Sequence, residues 1–439
     1  MRYWAMGKGV IMSDKTDAAL HLTGQSLPTD HSGHVKGYAW LVWALAATSF
    51  GYAFFHRVAP SVMVSDLMAE FAISGAMLGT LSALYFYPYV LLQIPLGALL
   101  ETVGTRKLLT CALCLASAGS VLFGLAVQIE LAYLGRILIG IGCSVGFLGS
   151  LALARRWFPA RQFGFLAGLS MFIAMTSGMI AQAPLAYFVD EFGWRSSLFL
   201  LGCLGFGLAV LVFGLVRNAP TDQPQISSAG FDKVAFFLSL RCAAYHREVW
   251  KISFVALTLS GPMLTLGGLW GTPYLIVAYD LSRPYAAFLM SLLLFGWAVG
   301  APATGWLSDR LGRRKPILIA GSVIMCLMLF LLIFMPHLPL AAAVVIIIII
   351  GLSGGSMATC FALVRDVLPD RITGAATGIV NSLTVASGAV LQPVVGLLLD
   401  FQTAGDTASY SDAAFRLAFC AILVAAVAGS LVAFRLREK

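Results

Sequence analysis

About twelve uninterrupted apolar stretches run through this chain, each long enough to cross a bilayer whose hydrocarbon core takes roughly 20 residues of helix. They fall near residues 38–62, 76–99, 107–128, 131–153, 164–188, 196–216, 249–278, 285–307, 316–335, 338–363, 374–399 and 413–434. Only 11% of the 439 residues are charged, and 59% are hydrophobic. A soluble domain carries about 25% charged residues. The length alone would suit two or three soluble domains, but the apolar runs overrule that reading. The expected class is an all-α membrane protein with twelve transmembrane helices.

A net charge of +8 would suggest nucleic-acid binding in a soluble protein. Here the distribution of charge speaks for topology instead, and no nucleic-acid partner is expected. With twelve spans, 23 of the 28 Lys and Arg residues fall in the two tails and the even-numbered loops, against Arg195, Arg283 and Arg416 on the opposite side. Arg57 and Arg136 lie inside spans. Lys and Arg accumulate on the cytoplasmic side, so both termini are expected in the cytoplasm. Residues 1–37 are polar and hold no apolar segment of a cleavable signal, and Met6 and Met12 are alternative starts. Cys111 and Cys114 form a C-x-x-C with no second pair at zinc-finger spacing. Two such residues share a helix face and read as packing.

The second half of the chain repeats the first. Gly97, Leu99, Glu101, Gly104 and Arg106 after the second span correspond to Gly305, Leu307, Asp309, Gly312 and Arg314 after the eighth, 208 residues on. Pro159, Arg161 and Gly164 correspond to Pro369, Arg371 and Gly374, 210 on. Ser177, Gly178, Gln182 and Asp190 recur as Ser387, Gly388, Gln392 and Asp400 at the same offset. Parallel halves related by an axis along the membrane normal are a known transporter plan. The expected organisation is an N-terminal tail over 1–37, a six-helix bundle over 38–217, a polar linker over 218–248 and a second bundle over 249–436.

These residues carry a resemblance to the major facilitator superfamily over about residues 38–436. Gly305, Leu307, Asp309, Arg310, Gly312, Arg313 and Arg314 match the family's loop motif G-x-L-x-D-R-x-G-R-[RK]. The first-half copy departs from it, with Glu101 for Asp, Thr102 for Arg and Thr105 for Arg. Arg136, Gly140 and Gly142 match a second motif in the fourth span. The antiporter motif G-P-x-x-G-G is absent from the fifth span, where 174–188 read AMTSGMIAQAPLAYF. The resemblance implies two pseudo-symmetric six-helix bundles in a bacterial inner (plasma) membrane. It also implies a gating role for Gly97, Glu101, Gly104, Arg106, Gly305, Asp309, Arg310, Gly312, Arg313 and Arg314, with the carboxylates and basic residues holding the halves together at the cytoplasmic mouth. Simple positive-inside decoration is the alternative.

All twenty acidic residues fall in tails, loops or span ends. Ionisable side chains inside a membrane are costly and mark functional positions, so Arg57 and Arg136, each about 8 Å deep at helical rise, are the first candidates. The resemblance implies that the first and fourth spans line a central cavity. An electropositive cavity follows, suited to carboxylate or phosphate, which Arg grips bidentately. Snorkelling to headgroups is the alternative for Arg57, and a structural role for Arg136. His56 could titrate near neutral pH or simply pack. Tyr85 and Tyr89 on the second span, beside Pro88, and Trp270 and Tyr274 on the seventh, form i, i+4 pairs that would line the cavity or anchor at the interface. Gln182, Asn381 and Gln392 are intramembrane amides that must find partners, in a ligand or in neighbouring helices.

The function expected is transport of a small anionic or zwitterionic organic solute by alternating access. Amino acids, short peptides, organic acids and organophosphates are all in range, with or without a coupling proton or ion. Efflux of amphipathic compounds by drug/proton antiport is the alternative, and a non-transporting sensor a third reading. No H-E-x-x-H, Walker motif or paired acids appear, so neither an enzyme nor a cofactor is expected.

Overall fold

The computed structural model describes residues 33–220, 233–335, 338–402 and 410–438. Most of the expected N-terminal tail and residues 221–232 of the linker lie outside them. Residues 33–40 begin the first helix, and residue 41 onward forms a compact body. The described residues are helical, with no strand among them.

Among the described residues, eleven helical segments are long and apolar enough to cross a membrane. One of them, Phe163–Leu215, is 53 residues long. Straight, it would run about 80 Å, more than two hydrocarbon cores. Gly193 breaks it with φ 80° and ψ 159°, a backbone conformation open to glycine and closed to side-chain-bearing residues. The two arms are the fifth and sixth crossings, which makes twelve. The others are Gly37–Val62, Gly75–Gln93, Thr105–Gly124 and Ile129–Trp157 in the first half, and Arg247–Tyr279, Arg283–Leu311, Lys315–Phe334, Leu340–Val367, Arg371–Gln402 and Asp412–Phe434 in the second.

Small residues set the packing inside the bundles, because lipid supplies no hydrophobic drive between helices and close backbone approach must do the work. A β-carbon on Gly142 of the fourth span would lie 2.2 Å from the Ala112 carbonyl oxygen of the third, and one on Gly140 would lie 2.3 Å from that of Tyr85. The glycines of the fourth-span motif are thus seams between helices.

Two elements differ from the sequence reading. The linker expected to be polar holds a helix, Lys233–Tyr245, which packs against the eleventh span. Leu240 and Ala243 turn inward, Ala243 fully buried, while Phe237 and Leu238 stay exposed. The seventh span is not one regular helix. It passes from α-helix Arg247–Pro262 through a π-helical stretch, Met263–Trp270, to α-helix Gly271–Tyr279. A π stretch shifts the carbonyl register, and two side-chain amides take up carbonyls there. Gln182 Nε2 donates to the Gly267 oxygen and Gln392 Nε2 to that of Leu264, both at 2.7 Å. Those two glutamines are the 210-offset pair, so both repeats converge on one span.

Candidate substrate site

Between the halves lies a cavity of about 1290 Å³. Its wall reaches from Arg57 and Phe54 down to Gly97, Gly164, Gly168 and Arg371 at the span ends that carry the basic loops. At the other end the halves touch. A β-carbon on Gly396 of the eleventh span would lie 2.1 Å from the Gly75 carbonyl oxygen of the second, and one on Gly79 would lie 2.6 Å from that of Gln392. The cavity therefore opens toward the basic end and is sealed at the opposite one.

Polar latches reinforce that seal, and they repeat with the halves. Asp400 accepts from the Gly75 and Ala76 main-chain N–H groups, each at 2.8 Å. These are the orphan donors of a helix start, where a carboxylate also gains from the dipole. Tyr410 donates to Asp400 at 2.5 Å. Burial and that carboxylate raise its pKa. The pseudo-equivalent Asp190 lies 3.3 Å from Arg283 Nε, and Arg283 starts the eighth span as Gly75 starts the second. Arg283 also forks onto Asp66 at 2.7 and 3.2 Å. Partly exposed pairs of this kind are each worth roughly 0–1 kcal/mol, so they can latch without welding.

Arg57 faces the cavity with Nε and Nη2 buried and without a hydrogen-bond partner. Its guanidinium carbon lies 4.8 Å from the Phe54 ring centre and 5.0 Å from that of Tyr89, within cation–π range. Arg136 is different. It lies off the cavity wall, and its Nη1, Nη2 and Nε donate to the carbonyls of His56 (2.9 Å), Ser82 (3.2 Å) and Leu81 (3.4 Å). Two of those carbonyls are available for local reasons. The helical partner of the His56 oxygen would be the N–H of residue 60, which is proline and has none. The Tyr85 N–H, which would serve Leu81, turns to Ser82 instead.

Of the ten expected substrate residues, Arg57, Tyr89 and Asn381 are on the wall. The structure places the other seven away from it. Besides Arg136, Tyr85 spends its hydroxyl on the Ala53 carbonyl at 2.9 Å. His56 is fully buried against the Tyr52 ring. Gln182, Gln392 and Trp270, whose Nε1 donates to the Gln392 carbonyl at 2.9 Å, belong to the helix contacts of the sealed end. Tyr274 packs against Phe415 and Phe419. Buried polar groups must be paired, and helix breaks offer main-chain partners that sequence does not display.

The wall also holds residues that the sequence reading did not propose, notably Gln93, Ser260, Trp297, Thr384 and Arg371. Gln93 Oε1 accepts from Asn381 Nδ2 at 3.3 Å across the halves. Its spacing gave a signal, since it stands four residues past Tyr89 on the same helix face.

The expected gating residues divide by half. In the second half, Arg314 pairs with Asp309 and, at 3.0 Å, with Asp366, and these hydrogen bonds raise its pKa. Arg313 lies 3.9 Å from Glu438. Arg310 stacks over Trp306 at 5.4 Å. Gly312, at φ 63°, caps the eighth span, and Gly305 faces open space. The partners of Arg313 and Arg314 belong to their own half, where sequence reasoning expected a bridge between halves. In the first half Gly104 takes φ 87°, and Arg106 donates from Nε to the Phe213 carbonyl and from its main-chain N–H to Asn218, both at 2.8 Å. Gly97 is on the cavity wall. The Glu101 side chain lies outside the described residues.

Comparison with known proteins gives concordant results. A family model described as Major Facilitator Superfamily matches residues 41–393 and 252–439. A Cupriavidus necator protein named Probable sulfoacetate transporter is 25% identical over 364 residues, 79% of this chain and 84% of that protein. An Escherichia coli protein named Probable galactarate/D-glucarate transporter is 23% identical over 406 residues, 82% and 88% of the two chains. Among solved structures, a bacterial homologue of the human lysosomal transporter Spinster, in an inward-facing and unoccupied conformation, superposes with a TM-score of 0.75 at 17% identity. That match covers 91% of this chain and 97% of the other.

Proposed function

Since the chain belongs to the major facilitator superfamily and is a multi-pass membrane transporter rather than an enzyme, we propose that it carries a small organic anion by alternating access. One observation carries this reading. Arg57 is on the cavity wall, and no acidic side chain is on that wall among the described residues. An isolated buried charge is costly until a counter-charge reaches it. The relatives named for sulfoacetate and for galactarate or glucarate support the same substrate sign. With no acid on that wall, a carboxylate proton carrier is not part of the proposal, and His56 is too deeply buried to meet cavity water.

The test is uptake into proteoliposomes with labelled anionic, cationic and uncharged metabolites, paired with thermal stabilisation of the purified protein. Uptake and stabilisation by carboxylates or phosphates are expected. Stabilisation by cationic or uncharged lipophilic compounds alone would reject the anion reading. It would favour amphipathic efflux, which the aromatic wall at Phe165, Phe172 and Phe361 would accommodate.

The charge asymmetry supports termini in the cytoplasm, with the cavity then facing inward. A reporter active only in the cytoplasm, fused at the C-terminus, should give signal. Signal from a reporter that works only outside the cytoplasm would reject this orientation.

A further inference from the structure

We infer that the linker helix Lys233–Tyr245 lies in the lipid interface at the basic end and holds an anionic phospholipid headgroup in a groove beside the seventh span. The helix has two unlike faces. Leu240 and Ala243 turn inward and join the cluster that holds Ile372 and Ala376 of the eleventh span. Phe237, Leu238, Arg241 and Tyr245 are exposed, Leu238 at 59% and Tyr245 at 78%. Steps of three and four residues put them on one side of the helix. Water is a poor surrounding for such a face, since all of its large side chains but Arg241 are apolar or aromatic. A bilayer interface suits it, with the apolar side chains among acyl chains and the Arg at headgroup level.

The neighbouring geometry fixes the depth. Only His246 separates the linker helix from the seventh span, which starts at Arg247. Trp250, half-exposed in the first turn of that span, donates from Nε1 to the Ala244 carbonyl at 2.6 Å. That bond pins the corner between the two helices. An exposed Trp at a span end marks the interface, where its ring sits among headgroups. At the same corner the Arg241 guanidinium carbon lies 5.9 Å from the Tyr245 ring centre. A groove of about 380 Å³ is lined there by Leu238, Arg241, Cys242, Tyr245 and His246. Arg presents a planar fork to phosphate, Tyr245 can offer a hydroxyl to a second oxygen, and Leu238 supplies the adjoining apolar contact. No acid is on the groove's wall among the described residues. Glu248, just beyond it in sequence, is buried and paired with Lys251 at 2.8 Å, so it does not repel an anion there. The same helix reaches the transport path, because Ser239 and Leu240 are on the wall of the central cavity.

The test places p-benzoylphenylalanine at Phe237 of the full-length protein, in vesicles of phosphatidylcholine with about a quarter phosphatidylglycerol. Irradiation should give phosphatidylglycerol adducts about fivefold above that lipid's share of the bilayer, the ratio that one basic residue at an anionic surface supports. Arg241→Gln should return the adducts to the bulk ratio. Arg241→Lys should keep an intermediate enrichment, because the charge stays and the fork is lost. Arg155→Gln, in the last turn of a first-half helix, should change nothing. Adducts in the bulk ratio with Arg241 in place would overturn the headgroup site. Enrichment that survives Arg241→Gln, or that falls equally in Arg155→Gln, would show a general attraction to the basic surface and overturn it too. Adducts to a second copy of the chain, or none to lipid, would take the helix out of the interface and overturn the whole inference.

Discussion

Arg57→Ala is expected to weaken anion binding by about 30- to 4000-fold, corresponding to about 2–5 kcal/mol for losing one partner of a desolvated charge pair. Arg57→Lys should fall between, because it keeps the charge and loses the planar fork. The empty protein should respond in the opposite direction. In wild type Nε and Nη2 are buried without partners, so removing the guanidinium relieves an unpaired charge and should leave the melting temperature unchanged or raised. Arg136→Ala provides the contrast. It strips donors from the carbonyls of His56, Leu81 and Ser82, and orphaned buried acceptors cost stability. That variant should melt lower with anion preference intact. Thermal melts with and without a carboxylate ligand separate the two roles. A destabilised Arg57→Ala that still binds the anion would show that Arg57 is a structural residue.

Gly396→Val is expected to cut transport by tenfold or more while leaving anion binding in place. The new β-carbon would lie 2.1 Å from the Gly75 carbonyl oxygen and 2.5 Å from its carbonyl carbon. These are main-chain atoms of the second span, with no flexible tip to swing aside, so relief requires the eleventh and second spans to separate. That separation opens the end now sealed and draws Asp400 away from the Gly75 and Ala76 N–H groups. A cysteine placed at the sealed end should become reactive to a membrane-impermeant reagent, and uptake should slow because the variant cannot close there. A full transport rate with that cysteine still protected would refute the seam. Retained anion stabilisation distinguishes a jammed carrier from a misfolded one.

Spans and repeats were legible in the sequence because they are written in residue type. Lipid demands long apolar runs, and two related halves keep their punctuation, so Asp190 and Asp400 stand 210 residues apart and both serve at the sealed end. The contents of the site were legible only in part. Arg57 and Arg136 have the same chemistry and similar depth, and only the main-chain geometry separates them. Whether a carbonyl is free depends on where Pro60 and the turn at Tyr85 interrupt the helices, and then on which neighbour lies within 3 Å. Gln182 and Gln392 were ambiguous for the same reason. Their partners are carbonyls in a π-helical stretch of the seventh span, which residue type does not announce. Asn381 and Gln93 could be recognised as intramembrane amides, but their meeting across the cavity is a product of how the halves dock.

On the proposed cycle Arg57 would also be a moving electrical charge. In the alternating-access cycle proposed above, a singly charged anion would neutralise the guanidinium of the loaded carrier, while the empty carrier would reorient with it bare. A full elementary charge crossing 100 mV is worth about 2.3 kcal/mol, and the empty carrier moves some fraction of that. With the cell interior negative, the bare site is drawn toward the inside. Resetting an empty carrier outward, which net uptake requires, then runs against the field, whereas swapping one monoanion for another never exposes the bare charge to it. On the proposed cycle this charge would make the carrier a rectifier, quick in exchange, assisted in export and slow in unaided import.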